Sequence, residues 1–139
     1  MSRRGLDVLS REECDALLGA GDFGRVVVKI GATISALPVF YSVIDGDIVF
    51  RTDPGTKLAA AVLQSQVTFE IDDANEGWSV MVVGPCSEVR AASDIAAALE
   101  ALGARWPEGE RSRIVRIHLQ RVSGRRLRSP IRTDAPDIP

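Results

Sequence analysis

The sequence predicts a mainly β protein, a small six-stranded antiparallel β-barrel with a few short helices. Three observations indicate this class: six β-prone segments, only short helical patterns between them, and the dipeptide Asp45-Gly46 between two of the segments. Asp-Gly flanked by apolar residues is among the strongest short-range signals for a β-hairpin. The few, short helical patterns exclude a doubly wound parallel sheet, which needs a helix between successive strands.

The first predicted element is a short helix near the amino terminus. Ser10 is followed three residues later by Glu13, which is the spacing of a capping box, and Gly19 and Gly21 end the helical pattern. The other predicted elements are strands over 24–30, 33–44, 47–52, 66–71, 78–90 and 114–122 and helices over 56–63 and 93–102.

Three details of these elements can be predicted as well. Ser93 is expected to cap the last helix, and the strand over 78–90 is expected to bend at Gly84-Pro85, where proline removes a ladder donor. If Asp45-Gly46 is a two-residue loop, it predicts the cross-strand pairs Ile44–Asp47, Ser42–Val49, Tyr41–Phe50 and Phe40–Arg51.

Length and composition predict a single domain over residues 1–127, followed by a flexible, proline-containing tail over 128–139. The chain has 139 residues and a formal net charge of −2, and no apolar run approaches the roughly 20 residues of a membrane span. The first residues carry no hydrophobic core of a signal peptide, so we expect a cytoplasmic protein without a membrane partner. Cys14 and Cys86 are expected to be free thiols, and with one histidine no metal site is predicted.

The charge is uneven, with eight arginines and no acid between residues 111 and 132. Such a stretch can bind nucleic acid. Here the arginines alternate with apolar, β-prone residues over 113–120, which favours an ordinary strand and makes nucleic acid an unlikely partner. His118, in that strand, is expected to be a strand residue and not a catalyst.

A possible anion site follows the strand over 47–52. That strand delivers Arg51 and Thr52, and a helix is expected to begin near Thr56 and Lys57. A lysine at a helix amino terminus is mildly unfavourable unless an anion is bound there, and the helix N–H groups would then contact the same anion. The residues alone leave a second interpretation open, in which Lys57 extends into water and Arg51 pairs with Asp53.

Two further segments have both a structural and a functional interpretation. Trp78, followed by Ser79 at the start of a strand, is either a core anchor or a cover for a planar ligand. Pro38, Val39 and Phe40 form a strand segment whose proline implies a bulge or an edge. The free backbone there suits either a protected edge or contact with the rim of a flat heterocycle.

Taken together, these segments resemble the pyridoxamine 5′-phosphate oxidase-like family of flavin-binding split β-barrels, and most closely its short actinobacterial members. The resemblance covers about residues 8–127. It is carried by the segments GRVVV, LPVFYSV, DGDIVFRTDPGTKLAAA, GWSVMVVG and IVRIHLQRVSGRR.

The resemblance implies a homodimer with FMN at the subunit interface and a flavin-dependent oxidoreductase that acts on an unknown small molecule. It implies that the phosphate is held by Arg51, Thr52, Thr56 and Lys57. It also implies that Pro38, Val39 and Phe40 line the isoalloxazine edge, and that Trp78 and Ser79 approach from the partner chain or form the floor of the site.

Two features depart from well-known members of the family. The end of the similar region, VSGRRLR, does not match the Arg-Leu-x-Pro tail of pyridoxamine phosphate oxidases, so that activity is not inferred. The histidine of nitroimidazole-reductase relatives has no counterpart. Catalytic residues therefore stay unassigned, and two alternatives stay open: a deazaflavin-dependent reductase of the same superfamily, and a flavin-binding protein without turnover.

Overall fold

A computed structural model of the chain describes residues 6–53, 57–63, 66–103 and 113–127. The expected tail over 128–139 lies outside them. The described strands are β1 Leu6–Val8, β2 Phe23–Ile30, β3 Thr33–Ile44, β4 Asp47–Thr52, β5 Gln66–Asp73, β6 Trp78–Glu88, β7 Arg113–Ile117 and β8 Arg121–Leu127. The helices are α1 Arg11–Ala20, α2 Lys57–Val62 and α3 Ala92–Leu102.

Six of these strands close into an antiparallel barrel in the order β6-β5-β2-β3-β4-β7, because β7 pairs with β4 on one edge and with β6 on the other. The predicted fold class is therefore confirmed. Two strands lie outside the ring: β8 pairs with the first half of β6, and the short β1 pairs with β8. Together they extend the sheet beyond β6.

The predicted single strand over 114–122 is wrong, because this segment forms the end of β7 and the start of β8. Both strands use the same edge of β6, β8 opposite residues 78–83 and β7 opposite residues 86–88. The chain between them, residues 118–120, runs along the same edge opposite Gly84 and Pro85, so three residues face two and form a β-bulge. His118 N–H donates to Pro85 O at 3.0 Å and Gln120 N–H donates to His118 O at 2.9 Å. The apolar positions of the sequence shift by one residue here, from Ile117 and Leu119 to Val122.

Gly84 makes the close approach of this bulge to β6 possible. A Cβ built on Gly84 would overlap the carbonyl oxygen of His118 and lie 3.3 Å from the backbone nitrogen of Gln120. Both of these atoms belong to the backbone, so rotation of a side chain could not relieve the clash. The predicted bend at Gly84-Pro85 thus falls where β6 changes from one partner strand to the other.

The β3–β4 hairpin forms as predicted around Asp45-Gly46. Both loop residues have positive φ, 52° at Asp45 and 81° at Gly46, as a type I′ turn requires. Three predicted pairs are confirmed, Ile44–Asp47, Ser42–Val49 and Tyr41–Phe50. The β3–β4 ladder ends at that last pair, so the fourth predicted pair, Phe40–Arg51, lies one residue beyond it. On its other edge, Phe40 is paired with Phe23 of β2.

The register around the ring is strongly staggered. Starting from Ser79 on β6, the neighbouring positions lead around the barrel and back to β6 at Val89, ten residues further along (89 − 79). The steps pass through Asp72, Phe23, Phe40, Arg51 and Ile114, with the ladders extended by one or two residues where their paired parts end. A closed barrel requires such a stagger because its strands tilt against the axis.

The barrel interior forms the main core, and α1 covers one side of it. The largest fully buried side chains include Tyr41, Phe50 and Phe69, and the Tyr41 ring packs edge-on against Phe69 at 4.9 Å. The Tyr41 hydroxyl donates to the carbonyl oxygen of Leu18 at 2.6 Å, which ties the end of α1 to β3. None of the helices in the described part of the chain is long and apolar enough to cross a membrane.

One helix cap is confirmed and one is wrong. Ser10 and Glu13 form the predicted capping box: the Ser10 hydroxyl accepts from Glu13 N–H at 3.0 Å, and Glu13 accepts from Ser10 N–H at 2.7 Å. Ser93 does not cap α3. That helix begins one residue earlier, at Ala92, so Ser93 lies within its first turn and Ala91 occupies the capping position without a side-chain bond.

The Gly84→Ala substitution should test the close approach of the bulge to β6. We expect it to lower the free energy of unfolding by about 3 kcal/mol or more, because the added methyl group meets backbone that cannot move independently. Gly19→Ala is the matched control: Gly19 lies in α1 with nothing within 4 Å of its built Cβ, so this variant should gain about 0.5–1 kcal/mol. Urea denaturation of both variants measures the difference, and equal stability would contradict the close approach.

Candidate functional site

The residues predicted to hold a phosphate begin at the end of β4. Thr52 is 2% exposed, and its hydroxyl has no hydrogen-bond partner among the described residues. Leaving a buried polar group unpaired costs about 1–3 kcal/mol, so such a group in a folded protein calls for an explanation. A bound acceptor or donor at this end of β4 would supply the missing partner.

Two basic residues, Arg51 and Lys57, precede and follow Thr52 in the chain. Arg51 is half-buried on β4 opposite Ile114 of β7, and Lys57 begins α2. Thr56 lies outside the described residues. The predicted order of a strand that ends at Thr52 and a helix that begins at Lys57 is therefore present. The contacts of Arg51, Thr52 and Lys57 with a ligand stay a prediction.

The predicted ring-edge segment lies on the middle of β3. Pro38 is exposed opposite Arg25 of β2, and the Phe40 ring packs edge-on against Phe23 with 5.1 Å between centroids. Val39 is 5% exposed and faces the barrel interior, so only its backbone can contact a ligand on the outside. Pro38 and Phe40 are the outward side chains of this segment.

The phosphate and ring-edge segments lie side by side. Tyr41 and Phe50 are directly paired and both are buried. Phe40 and Arg51 are each one residue beyond that pair, so the alternation of strand residues turns both of them to the outer face. One protomer therefore brings Pro38, Phe40 and Arg51 together on one surface, with Thr52 beneath it.

Trp78 and Ser79 occupy a different part of the same sheet, at the start of β6. Trp78 packs partly against the core and also separates two open clefts of about 550 and 360 Å³. The packing agrees in part with the core-anchor interpretation, and a role for Trp78 as the cover of a planar ligand stays a prediction. Ser79 lies on the outer face three strands from Phe40, which is about 14 Å along the sheet at the usual strand spacing.

A charged cluster beside Ser79 was missed by the sequence interpretation. Arg25 of β2 donates to Glu70 at 3.0 Å and to Asp72 at 3.4 Å, both on the outer face of β5. Partial burial, followed by the hydrogen bond and the negative charge of Asp72, raises the pKa of Glu70 to about 6 despite the opposing effect of Arg25. The alternation of acidic and apolar residues in β5 was a signal for a charged face, but the arginine partner comes from a strand 45 residues away.

The other nucleophilic or titratable candidates lie apart from this surface. Burial raises the pKa of the Cys86 thiol to about 12, and burial also raises the pKa of Cys14, so neither is a ready thiolate. His118, between β7 and β8, has its Nδ1 3.3 Å from Asp47 of β4, and its side chain is 66% exposed. These positions agree with structural roles for all three residues.

The raised pKa of Glu70 predicts a pH-dependent stability difference. The folded state holds the Glu70 proton more tightly than the unfolded chain, whose pKa is near 4.5, so the Glu70 contribution is fully present below pH 4.5 and is lost as the pH rises through about 6. The Glu70→Gln variant, which cannot ionise, should gain stability relative to the wild type over this interval. Urea denaturation between pH 4 and 8 measures the difference between the two proteins, and a difference that does not grow with pH would contradict the raised pKa of Glu70.

Comparisons with known proteins place this geometry in a family. The family model described as pyridoxamine 5′-phosphate oxidase matches residues 10–126. The uncharacterized protein Rv0080 of Mycobacterium tuberculosis is 33% identical over 141 residues, covering 95% of this chain and 92% of the relative. The solved FAD binding protein from Mycobacterium smegmatis is 34% identical with a TM-score of 0.78, covering 88% of this chain and 99% of that one. A conserved protein of unknown function from Corynebacterium diphtheriae, DIP1874, is 26% identical with a TM-score of 0.76, covering 88% and 98%.

The family match spans the whole barrel, from α1 to β8, and therefore includes every described residue of the candidate site. The predicted resemblance is confirmed. The chain belongs to the pyridoxamine 5′-phosphate oxidase family.

Proposed function

We propose that this protein binds a flavin mononucleotide through the end of β4 and the start of α2, and acts as a flavin-dependent oxidoreductase on a small molecule. The observation that carries the proposal is the buried, unpartnered Thr52 hydroxyl at the end of β4, next in the chain to Arg51. A phosphate has several oxygens that accept hydrogen bonds, so an anion at the strand end could take one from the hydroxyl and one from the guanidinium. Membership of the family and a relative named as an FAD binding protein support a flavin as the molecule that carries the anion.

The outer surface of β3 would hold the ring system. Pro38 and Phe40 lie next to Arg51, so a ligand anchored by its phosphate at Thr52 would extend over them. Pro38 has no N–H to donate and Phe40 offers a ring face or edge, which suits contact with a planar heterocycle. When bound, the flavin supplies hydride or single-electron transfer, and the chain itself supplies binding, orientation and exclusion of water.

We propose that the active form is a homodimer with the flavin at the interface. In one protomer Ser79 lies about 14 Å from Phe40 along the sheet, so a second copy is the simplest means of completing a site that uses both. The outer sheet face also exposes large apolar side chains, Phe23 at 46%, Met81 at 44% and Ile34 at 73%, which a partner would cover.

Titration with three cofactors discriminates between the candidate functions. We expect the purified protein to show a bound-flavin absorption spectrum, or to bind FMN with micromolar affinity in a fluorescence titration. FAD is the second ligand, because the relative named for FAD binding has the same barrel. Binding of a deazaflavin cofactor with an affinity that grows with its glutamate tail, and no binding of FMN or FAD, would support the deazaflavin alternative. Binding of none of the three would overturn the flavin proposal.

Turnover is tested separately from binding. An oxidoreductase should reduce its bound flavin with NAD(P)H, or reoxidise it with a substrate, faster than free flavin reacts under the same conditions. A bound flavin that reacts no faster than free flavin across a substrate screen would favour the alternative of a binding protein without turnover.

The Thr52→Val variant should separate a ligand-binding role from a structural one. Without ligand, this isosteric change removes an unpaired buried hydroxyl, so the free energy of unfolding should stay the same or rise. With flavin, the variant loses a hydrogen bond to a charged group, and its Kd should increase about 10- to 100-fold. Thr33→Val, at the exposed start of β3, is the matched control and should change neither quantity. A flavin Kd equal to that of the wild type would remove Thr52 from the site.

A further inference from the structure

The smaller of the two clefts beside Trp78, called here the end cleft, lies where β2 begins and β5 ends. The β2–β5 ladder stops at the Arg25–Glu70 pair, two residues after the start of β2 and three residues before the end of β5. The two strand ends are therefore not paired with each other. The end of α1 and the start of β6 form the other walls, and the volume of about 360 Å³ suits a small molecule.

The uncharged walls of the end cleft are aromatic and aliphatic. Phe23 and Trp78 supply ring surface from β2 and β6, and Leu17 and Ile71 supply aliphatic surface from α1 and β5. Phe23 is exposed and Trp78 is half-buried, so both rings retain surface that a ligand can contact. Aromatic rings bind apolar groups, and their faces also attract cations.

The charged side chains that line the end cleft are all acidic. They are Asp22, Asp72 and Asp73, and among the described residues no basic side chain lines it. The nearby Arg25 donates to Asp72 at 3.4 Å and to Glu70 at 3.0 Å, so one cation is shared by two carboxylates. Asp73 Oδ1 accepts from two backbone N–H groups of the following turn, which fixes the side chain without neutralising its charge. These five groups have a formal charge of −3 (four negative, one positive) when all are ionised.

The end of α1 adds to this negative potential. The carbonyl end of a helix carries a partial negative charge and favours a cation nearby. α1 ends at Ala20 without a basic residue in its last turn, and both Ala20 and Gly21 line the end cleft. Carboxylates from two strands and the end of a helix therefore favour the same sign of charge in one cleft.

We infer that the end cleft binds a small organic cation with an apolar or aromatic body, such as a protonated arylalkylamine. Its ammonium group would lie against the carboxylates and the end of α1, and its body would contact Phe23, Trp78 and Leu17. Such a ligand matches both the charge and the apolar walls. A bare metal ion does not, because it would leave the rings uncovered and because the described residues form no group of three metal ligands.

The end cleft is next to the candidate flavin surface but is not part of it. Phe23 forms one wall and packs edge-on against Phe40, with 5.1 Å between the ring centroids. Pro38, Phe40 and Arg51 do not line the cleft. Binding of a cation is therefore measurable without a flavin, and its result does not decide the flavin proposal.

Benzylamine and benzyl alcohol are a matched pair of probes, because they share the benzyl group and only benzylamine is charged at neutral pH. In amide NMR titrations of the full chain, we expect benzylamine to shift the Trp78 indole signal and the backbone signals of Asp22 and Phe23 with a saturable Kd of about 1 mM. Benzyl alcohol should bind about tenfold more weakly or worse, because it lacks the charge that the carboxylates and ring faces attract.

Asp22→Asn and Asp73→Asn test the role of the carboxylates. Asparagine keeps the shape of aspartate, and at residue 73 it also keeps the oxygen that accepts from the turn. Each change should raise the benzylamine Kd about threefold or more and leave the affinity for benzyl alcohol unchanged. Asp15→Asn is the matched control, since it removes the same charge from the exposed side of α1, outside the cleft, and should alter neither affinity. The dispersion of the amide spectrum verifies that each variant is folded.

Three results would overturn the inference. The first is equal affinity for the two probes, which indicates an apolar cleft without selectivity for a cation. The second is a benzylamine Kd that neither cleft variant changes, and the third is the absence of saturable shifts at Trp78 and Phe23. None of these results alters the FMN titration, so failure of this inference is distinguishable from failure of the proposed function.

Discussion

The close approach of two backbone segments at Gly84 is the constraint on which the architecture depends. β6 has one edge for two partners, β8 over its first half and β7 over its second, and the segment that links them follows the same edge with one extra residue opposite Gly84 and Pro85. β7 closes the ring because it also pairs with β4, whereas β8 lies outside the ring. The extra residue shifts the strand alternation by one, so it decides which side chains of β8, Arg125 among them, lie on the outer face.

The candidate site combines a rigid support with an unsatisfied group. Thr52 is held at the end of a strand whose other side chains are mostly buried, so its hydroxyl cannot rotate into solvent to find water. If the proposed ligand pairs with this group, removal of the hydroxyl should weaken binding while it leaves the free energy of unfolding unchanged or higher. Phe40 and Arg51 lie on neighbouring strands of the hairpin, so the proposed surface needs no rearrangement of the sheet.

The sequence predicts the parts of this structure that local chemistry determines. Asp45-Gly46 specifies a turn with two positive φ angles, and Ser10 with Glu13 specifies a cap, and both are present. The division of the last strand was not predicted, because the shift of the apolar position from Leu119 to Val122 is small and only the pairing with β6 shows that one extra residue lies there. For the same reason Arg125 was assigned to no strand, and its place opposite Ser79, like the Arg25–Glu70 contact, depends on pairing between distant segments. The site residues on β3 and β4 were predictable as candidates, whereas the burial of Thr52 was not.

The closure of the barrel has a consequence for the order of folding. The ring is incomplete until β7 pairs with both β4 and β6. Because β7 begins only at Arg113, it is the last strand of the ring to leave the ribosome. Most of the pairings link residues far apart in the chain, and such topologies fold slowly because loop closure precedes the contacts that offset its entropy. During synthesis the edges of β4 and β6 therefore stay unpaired until β7 has been made. In this interval the nascent chain is most prone to pair with a strand of another chain.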